Sequence, residues 1–253
     1  RQSWSFGKQD GSLELGEVIE HIRSMAAATD LPLNADLESG YSQDAAGVAR
    51  SVRMAINAGA AAVSIEDSSG IASNPVRTIE SSIDRLKAAR AAIDSHAPDA
   101  MLVGRAENFF VGRPDLEDTI LRLKAYSEAG ADILYAPGIT SRAEIAAVVA
   151  AVAPKPVSLL IGGNSDLTVA DVASLGVRRI SVGGALARAA WGGFMQAARA
   201  IAEQGRFAFP HAADGKELNA FFGLAAESLV SSEAEIFGQV EYRNGEGLSL
   251  IHI

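Results

Sequence analysis

The sequence predicts an α/β fold in which short buried strands alternate with longer helices, the arrangement of a (β/α)8 barrel. Strand segments such as Met101-Leu102-Val103 are continuous apolar runs, which are typical of parallel strands buried on both faces. The same helix stop before a strand recurs at Ala58-Gly59-Ala60 and Ala129-Gly130-Ala131. Polar residues follow the strands directly, as the active sites of such barrels require. Together these observations indicate serial βα architecture.

Each predicted element has a local signal. The first helix carries apolar residues at a 3.6-residue period, and later helices begin at the capping residues Asp44, Asp115, Ser141 and Thr168. Glu144 completes a capping box with Ser141. Helices are predicted over 13–28, 45–58, 79–95, 116–129, 142–152, a short segment before Gly176, 186–204 and 215–229. Strands are predicted over 32–36, 62–66, 101–105, 132–136, 156–161 and 178–182.

The strand count is lower than a closed barrel needs. Six strands are predicted, whereas a (β/α)8 barrel has eight in about 250 residues. We therefore expect the fold to be truncated at its N-terminus to six βα units, an open partial barrel over 1–205 that forms the catalytic domain. A helical tail is expected over 206–247. The last six residues, 248–253, resemble a translated transposon adapter and are interpreted as a non-native scar, with a genuine short C-terminal strand as the alternative.

Composition narrows the possible partners. The net charge of −9 argues against nucleic acid or an anionic membrane as the main partner. No apolar run reaches the roughly 18 residues of a membrane span. The absence of cysteine excludes disulfides, thiolate metal sites and cysteine catalysis, and it fits a cytoplasmic location. A small-molecule substrate is the expectation that remains.

Acidic residues cluster where two consecutive predicted strands end. Asp36 and Glu38 lie two positions apart, so their side chains would point to the same face, and the next strand ends in Glu66-Asp67. Carboxylate oxygens suit Mg²⁺, which takes few protein ligands and keeps several waters. A solvated strand end is the alternative for Asp36 and Glu38. Simple helix-capping acids are the alternative for Glu66-Asp67.

The chain resembles the isocitrate lyase/phosphoenolpyruvate mutase superfamily over about residues 5–205. Each motif is weak alone, but their order and spacing together are specific. The motifs are Asp10-Gly11, 34–41 (Asn-Ala-Asp-Leu-Glu-Ser-Gly-Tyr), 65–67 (Ile-Glu-Asp), 104–107 (Gly-Arg-Ala-Glu), 129–135 (Ala-Gly-Ala-Asp-Ile-Leu-Tyr) and 176–183 (Gly-Val-Arg-Arg-Ile-Ser-Val-Gly).

The resemblance implies a Mg²⁺ site, with Mn²⁺ as a possible substitute. Asp36 would be the direct metal ligand, while Asp10, Glu38 and Glu66 would hold metal-bound waters. The family acts on small 2-oxo or 2-hydroxy carboxylates through an enolate-like intermediate. We therefore predict a lyase or decarboxylase that cleaves a C–C bond.

The same resemblance assigns substrate-binding roles. Arg105 would pair with the substrate carboxylate or the developing oxyanion, with a purely structural salt bridge as the alternative. Gly104 before it is expected to leave room for the substrate to approach. Glu107 would be an acid–base group or, alternatively, a partner of Arg105. Gly40 and Tyr41 are predicted to contact substrate, with packing as the alternative for Tyr41.

Departures from the family pattern keep other functions open. The stretch 68–77 lacks the Lys-Lys-Cys-Gly-His loop of the isocitrate and methylisocitrate lyases, which excludes a thiol-based lyase of that type. A phosphonate P–C mutase or hydrolase is the runner-up. The glycines at 162–163 and 183–184 would suit a phosphate-handling biosynthetic barrel, with simple tight turns as the alternative. A non-catalytic binding protein on the same scaffold is a further alternative.

The C-terminal helices carry the expectation about assembly. The superfamily commonly swaps its eighth barrel helix between subunits, and here 186–204 and 205–230 occupy that place. We predict a homo-oligomer, a dimer or tetramer, in which segment 215–229 packs on another subunit because its apolar side chains would form an exposed patch.

Overall fold

The computed structural model describes residues 2–9, 11–227, 241–244 and 247–252. After a 3₁₀ helix (Gln2–Phe6) the chain alternates between helices and strands. The helices are α1 (Leu15–Ala27), α2 (Ala45–Asn57), α3 (Ile79–His96), α4 (Leu116–Glu128), α5 (Arg142–Val152), α6 (Val169–Ser174), α7 (Ala185–Gln204) and α8 (Gly215–Glu227). The strands are β1 (Asn34–Asp36), β2 (Ala62–Glu66), β3 (Met101–Arg105), β4 (Ile133–Tyr135), β5 (Val157–Leu160), β6 (Arg179–Ser181), β7 (Glu241–Asn244) and β8 (Gly247–His252).

The first six strands form a curled half-barrel in chain order. Each of β1 to β5 pairs in parallel with the strand that follows it, which confirms the predicted α/β barrel-type fold with six βα units. Within the described ranges, none of the helices has the length and apolar character needed to cross a membrane.

Two further strands extend the sheet beyond the six that were predicted. β8 pairs in parallel with β6, and β7 pairs with β8 in an antiparallel hairpin. Most of the segment 248–253, which the sequence indicated to be a scar, therefore lies in a strand. The origin of that segment, and the division into a 1–205 domain and a 206–247 tail, stay predictions.

Caps place the helices as the sequence indicated. The Asp44 side chain accepts from the Gly47 N–H at 2.6 Å, and Asp115 accepts from the Asp118 N–H at 3.0 Å. Ser141 and Glu144 make the predicted capping box. Such caps each stabilise a helix by roughly 1 kcal/mol, so the starts of these helices follow from local sequence.

The helices pack on one face of the sheet and leave the other face, here called the inner face, for polar side chains. Gly104 lies on the helix side, where an added Cβ would be 3.0 Å from Cβ of both Tyr126 and Ala131. The room at Gly104 thus serves helix packing, and the prediction that it serves substrate approach is wrong. Because strand side chains alternate, Arg105 faces the inner side.

A candidate metal and carboxylate site

The end of β1 carries the first two candidate ligands into a tight turn. The Glu38 N–H donates to Asp36 Oδ1 at 3.0 Å, and Ser64 Oγ lies 3.4 Å from the same oxygen. Glu38, Gly40 and Tyr41 all have positive φ angles, a backbone conformation that residues other than glycine rarely adopt. The turn therefore holds Glu38 in an unusual backbone geometry at the end of β1, and the Glu38 N–H orients the Asp36 carboxylate.

Arg105, the last residue of β3, joins the acids of three elements. Its Nη1 lies 3.0 Å from Asp36 Oδ2 and 3.4 Å from Glu66 Oε2. Its Nε donates to Glu107 Oε1 at 2.5 Å. Three carboxylates thus share one guanidinium, and the Arg105 pKa is raised well above its ordinary value because these charges outweigh the effect of burial.

Glu66 is the most perturbed acid of this group. Burial raises its pKa to about 8, and the carboxylates of Glu107 and Asp36 add to the rise although Arg105 opposes it. Negative charge is therefore in excess at this point of the inner face. Strongly perturbed carboxylates in a cleft are frequent at functional sites.

Glu107 is buried beside Arg105, and burial raises its pKa too. Its backbone N–H donates to Asp67 Oδ1 at 2.8 Å. Its position is that of a partner of Arg105, the second of the two roles predicted for it. An acid–base role for Glu107 stays a prediction.

Asp67 accepts several hydrogen bonds within the fold, whereas the sequence analysis offered a metal site or a helix cap for it. Its Oδ2 accepts from the Tyr126 hydroxyl at 2.5 Å and from Arg122 Nη1 at 3.1 Å. Arg122 also donates to Asp118 and to the Arg77 carbonyl oxygen. This buried network ties the loops after β2 and β3 to α4, so it positions the backbone of Glu66 and Glu107.

Arg85 is a second residue that sequence reasoning missed. From α3 it donates to the carbonyl oxygens of Ser39, Ser42 and Gln43, the loop that follows Glu38. Burial lowers the pKa of Arg85 to about 10. The signal was present, because Arg85 falls on the buried stripe of α3 three positions after Ser82, where a charge needs partners.

The remaining predicted site residues lie in different situations. Asp10 is outside the described residues. The Gly40 N–H donates to the Leu37 carbonyl oxygen at 2.7 Å, so it serves the turn. Tyr41 is half-buried beside Glu38, and burial together with the charges of Glu38 and Asp36 raises its pKa. Substrate contacts of Gly40 and Tyr41 stay predictions.

The loop 68–77 closes on itself as a short hairpin after β2. Ser68 bridges Val76, and the Ser69 N–H donates to the Pro75 carbonyl oxygen at 2.8 Å. Cysteine, lysine and histidine are absent from these residues. The hairpin therefore brings no thiol or imidazole to the carboxylate cluster.

The carboxylate cluster, Asp36, Glu38, Glu66 and Glu107, fits a hard divalent cation held by few direct ligands. In the part of the chain that the structure describes, no three acidic or histidine side chains converge closely enough to bind one ion together. The Asp36 side chain keeps 44% of its surface exposed, so it can bind an ion directly. Burial and the neighbouring carboxylates raise the pKa of Glu66, and a bound cation would offset that excess of negative charge. Mg²⁺ with several retained waters meets both conditions.

The fold and this site define a class, the barrel-type α/β proteins whose acidic cluster lies at the C-terminal ends of the strands. A sequence model described as phosphoenolpyruvate phosphomutase matches residues 1–202. The chain belongs to this family, and its membership in the isocitrate lyase/phosphoenolpyruvate mutase superfamily is confirmed.

Individual relatives agree with the family. An oxaloacetate decarboxylase from Rhodopseudomonas palustris (strain BisB18) is 32% identical over 176 residues, 67% of this chain and 58% of that protein. A crystal structure from Burkholderia cenocepacia J2315, provisionally named a lyase/mutase, is 43% identical with a TM-score of 0.84, covering 88% of this chain and 80% of the other. A phosphonopyruvate hydrolase in complex with oxalate and Mg²⁺ is 27% identical with a TM-score of 0.74, covering 90% and 83%. The chain thus spans less than two thirds of that curated decarboxylase.

Proposed function

We propose that this protein is a Mg²⁺-dependent lyase or decarboxylase that cleaves a C–C bond in a small 2-oxo or 2-hydroxy carboxylate through an enolate-like intermediate. One observation carries the proposal. Asp36, Glu66 and Glu107 share the single guanidinium of Arg105 at the C-terminal ends of the strands, in a chain of this family. An excess of carboxylates beside one arginine is suited to a cation and an acid bound together.

Asp36 would bind the metal directly, while Glu38 and Glu66 would hold it through water, together with Asp10 from outside the described residues. Carboxylates bind Mn²⁺ as well as Mg²⁺, so Mn²⁺ would substitute. When bound, such a cation polarises the C2 oxygen of the acid and so stabilises negative charge that grows there.

Arg105 would orient the substrate. Its Nε is held by Glu107 and its Nη1 by Asp36 and Glu66, while Nη2 makes no hydrogen bond to a described residue. A substrate carboxylate would accept from Nη2, and from Nη1 once a metal engages Asp36. The guanidinium would therefore anchor the acid in a fork, and the buried Glu107 would keep the planar group from rotating.

Cleavage of a carbon–phosphorus bond is the alternative activity. The family is described as phosphoenolpyruvate phosphomutase, and one similar structure is a phosphonopyruvate hydrolase. The same cluster would serve a phosphonate whose P–C bond is broken. The family assignment gives no support to a phosphate-handling biosynthetic barrel. A binding protein without catalysis is separated from both enzymes by the absence of metal-dependent turnover.

The test is a turnover assay of the protein against 2-oxo and 2-hydroxy mono- and dicarboxylates and phosphonopyruvate, in MgCl₂ or in EDTA. We expect pyruvate or glyoxylate release that requires Mg²⁺ and is lost in Asp36→Asn. A matched control is Asp166→Asn, which changes an exposed acid after β5 and should leave turnover unchanged. Phosphate release from phosphonopyruvate alone would favour the alternative. Turnover that EDTA leaves unaltered would refute the metal-dependent mechanism.

Assembly and location belong to the same proposal. None of the residues of α7 is buried, and its large apolar side chains Leu186, Trp191 and Phe194 are exposed. A patch of this kind marks an interface, which supports a homo-oligomer built through α7 and α8. The end of the predicted contact segment, 228–229, lies outside the described residues. We place the protein in the cytoplasm on its lack of cysteine.

A further inference from the structure

The loop that follows β1 and Glu38 is held by one side chain of α3. Arg85 is buried on the stripe by which that helix packs into the fold. Its Nη2 donates to the carbonyl oxygens of Ser39 and Ser42, the latter at 2.8 Å, and its Nη1 donates to that of Gln43 at 3.1 Å. A single guanidinium therefore binds three carbonyl oxygens of the segment 39–43, here called the clamped turn.

The clamped turn and the residue before it have a backbone conformation that needs such support. Glu38 and Tyr41 have φ angles of 49° and 51°, in the left-handed region that residues other than glycine rarely adopt. Residues in this conformation are strained and persist only where the surrounding structure fixes them. Hydrogen bonds from a charged donor are stronger than those between neutral groups, so Arg85 is suited to hold this backbone.

The clamped turn is joined to the carboxylate cluster through Glu38. The Tyr41 side chain hydrogen-bonds to the Glu38 side chain. The Glu38 carbonyl oxygen accepts from the Glu66 N–H at 3.0 Å, and the Glu38 N–H donates to Asp36 Oδ1 at 3.0 Å. The position of the Glu38 carboxylate therefore depends on its strand neighbours on one side and on the clamped turn on the other.

Helix α2 packs against the clamped turn from another direction. A Cβ added at Gly40 would lie 2.8 Å from Val48 Cγ2, and a Cβ added at Gly47 would lie 1.8 Å from Ser42 Oγ. Without Arg85 the turn would keep these contacts with α2 but would lose its donors on the side of α3. We therefore expect loss of Arg85 to loosen the turn while the helices stay packed.

We propose that Arg85 is a positioning residue of the metal site, which holds the clamped turn so that the Glu38 carboxylate is in place to support a Mg²⁺ ion at Asp36. The inference rests on the proposed function and extends it to a side chain outside the carboxylate cluster. The turn would be ordered before the cation binds, so binding would not have to supply the free energy of ordering it.

The first measurement is the Mg²⁺ Kd of the wild type and of Arg85→Met by calorimetric titration. Loss of a group that orients a metal-supporting side chain typically weakens metal affinity by about 10- to 100-fold, and we expect a loss in that range. Arg85→Lys keeps the charge but offers one ammonium group to three carbonyl oxygens, so it should restore part of the affinity. Wild-type affinity in Arg85→Met would overturn the proposal and leave the proposed function standing.

Arg90 provides a matched control on the same helix. Its Nε lies 2.7 Å from Asp94 Oδ1, and its Nη1 lies 2.8 Å from Oδ2 of Asp132, the residue before β4. Arg90→Met thus removes a partly buried guanidinium at the opposite end of the strands from the cluster. It should lower the Tm but keep the wild-type Kd for Mg²⁺. An equal loss of Mg²⁺ affinity in Arg85→Met and Arg90→Met would overturn the proposal, because general destabilisation would then explain both.

A double-mutant cycle tests whether Arg85 acts through Glu38. Glu38→Gln alone should weaken Mg²⁺ binding because it removes the charge that supports the ion. If Arg85 serves to place that carboxylate, adding Arg85→Met to Glu38→Gln should weaken binding by no more than about a further twofold. A role of Arg85 in general stability would instead reduce the affinity by the same factor with and without Glu38, and this result would contradict the proposal.

Hydrogen exchange in EDTA examines the clamp without metal or substrate. Three amides at or beside the clamped turn donate hydrogen bonds, those of Glu38, Gly40 and Asp44. They should exchange at least about tenfold faster in Arg85→Met than in the wild type, because the turn opens locally once the charged donor is lost. In Arg90→Met they should exchange at the wild-type rate.

Exchange also separates the failure of the clamp from the failure of the proposed function. A wild type that binds no Mg²⁺ would refute the proposed function, and equal amide protection in the wild type, Arg85→Met and Arg90→Met would overturn the clamp. Folding is checked by far-UV circular dichroism, for which we expect native spectra. Loss of the fold in both Arg85→Met and Arg85→Lys would also overturn the proposal, since Arg85 would then maintain the whole fold and not the turn.

Discussion

Glu66 and Asp67 are neighbours in the chain, yet their carboxylates lie in opposite environments. Asp67 points into the helix layer, where only 1% of its side chain is exposed and Tyr126, Arg122 and the Glu107 N–H all donate to it. Glu66 points to the inner face, where it shares the single guanidinium of Arg105 with Asp36 and Glu107.

The ratio of donors to carboxylates separates a structural acid from a functional one. Asp67 has three donors for one carboxylate, so its charge is compensated within the fold. At Arg105 one guanidinium serves three carboxylates, so the compensation is incomplete until a cation binds. Stability should therefore depend on Asp67, and ligand binding should depend on Glu66.

The largest expected effect is on stability. Asp67→Ala removes one partner of a buried ion pair and leaves the buried Arg122 with Asp118 as its one carboxylate partner among the described residues, so the free energy of unfolding should fall by about 3–5 kcal/mol. Urea denaturation would measure this. Glu66→Gln should cost far less, because the carboxylate it replaces is poorly compensated. Equal losses in the two variants would erase the distinction between the two environments.

The second effect is a pH dependence of stability. The native pKa of Glu66, about 8, lies above its ordinary value of 4.5, so between these values the folded chain binds a proton that the unfolded chain has released. Stability should fall as pH rises through this window, with a slope of at most about 1.4 kcal/mol per pH unit.

The matched comparison is Glu66→Gln in EDTA between pH 5 and pH 8. The variant cannot titrate at this position, so the wild type should lose stability relative to it as the pH rises. If stability varied with pH in the same way for the two proteins, the pKa of Glu66 would not differ between the folded and unfolded chain.

The third effect is on metal affinity. Glu66 would hold the ion through water, and loss of such a supporting group typically costs about 10- to 100-fold in affinity. We expect that loss in Mg²⁺ titrations of Glu66→Gln. Asp67→Asn keeps one side-chain oxygen and the shape of the side chain but removes its charge. This variant should bind Mg²⁺ with an affinity closer to that of the wild type. A larger loss of Mg²⁺ affinity in Asp67→Asn than in Glu66→Gln would indicate that the metal binds on the helix side of the sheet and not on the inner face.

The smallest effect concerns Arg105. Arg105→Lys keeps a positive charge but cannot reproduce the fork that joins Nε to Glu107 and Nη1 to Asp36. We expect a native fold and a fall in kcat/KM of at least about tenfold on the substrate identified by the turnover assay. Near-normal kcat/KM would show that Arg105 serves structure.

Local signals made most of the fold predictable. β2 and β3 have the predicted bounds because their apolar runs end in charged residues, and Asp44 and Asp115 cap the helices that their positions indicated. The hairpin of β7 and β8 was not predicted, because a C-terminal strand was only the alternative interpretation of residues taken to be a scar.

Contacts between distant residues set the limit of sequence reasoning. Asp36, Glu66 and Arg105 were predicted as site residues because each ends a strand. Asp67 accepts hydrogen bonds from Glu107 and Tyr126, and Arg85 donates to the Ser39 carbonyl oxygen. The partners of these bonds are 40 to 59 positions apart in the chain. The role of Gly104 was predicted wrongly because the sequence does not show whether the space beside a strand glycine faces the helices or the substrate.

Direct titration of Mg²⁺ into the protein tests the central claim, that the inner-face cluster around Asp36 is a cation site. The account predicts one Mg²⁺ per chain for the wild type and for the control Asp166→Asn, and no measurable binding by Asp36→Asn at the same concentrations. Circular dichroism of all three proteins would establish that the fold is unchanged. Wild-type affinity in Asp36→Asn would contradict the account, because the ion would then be held elsewhere.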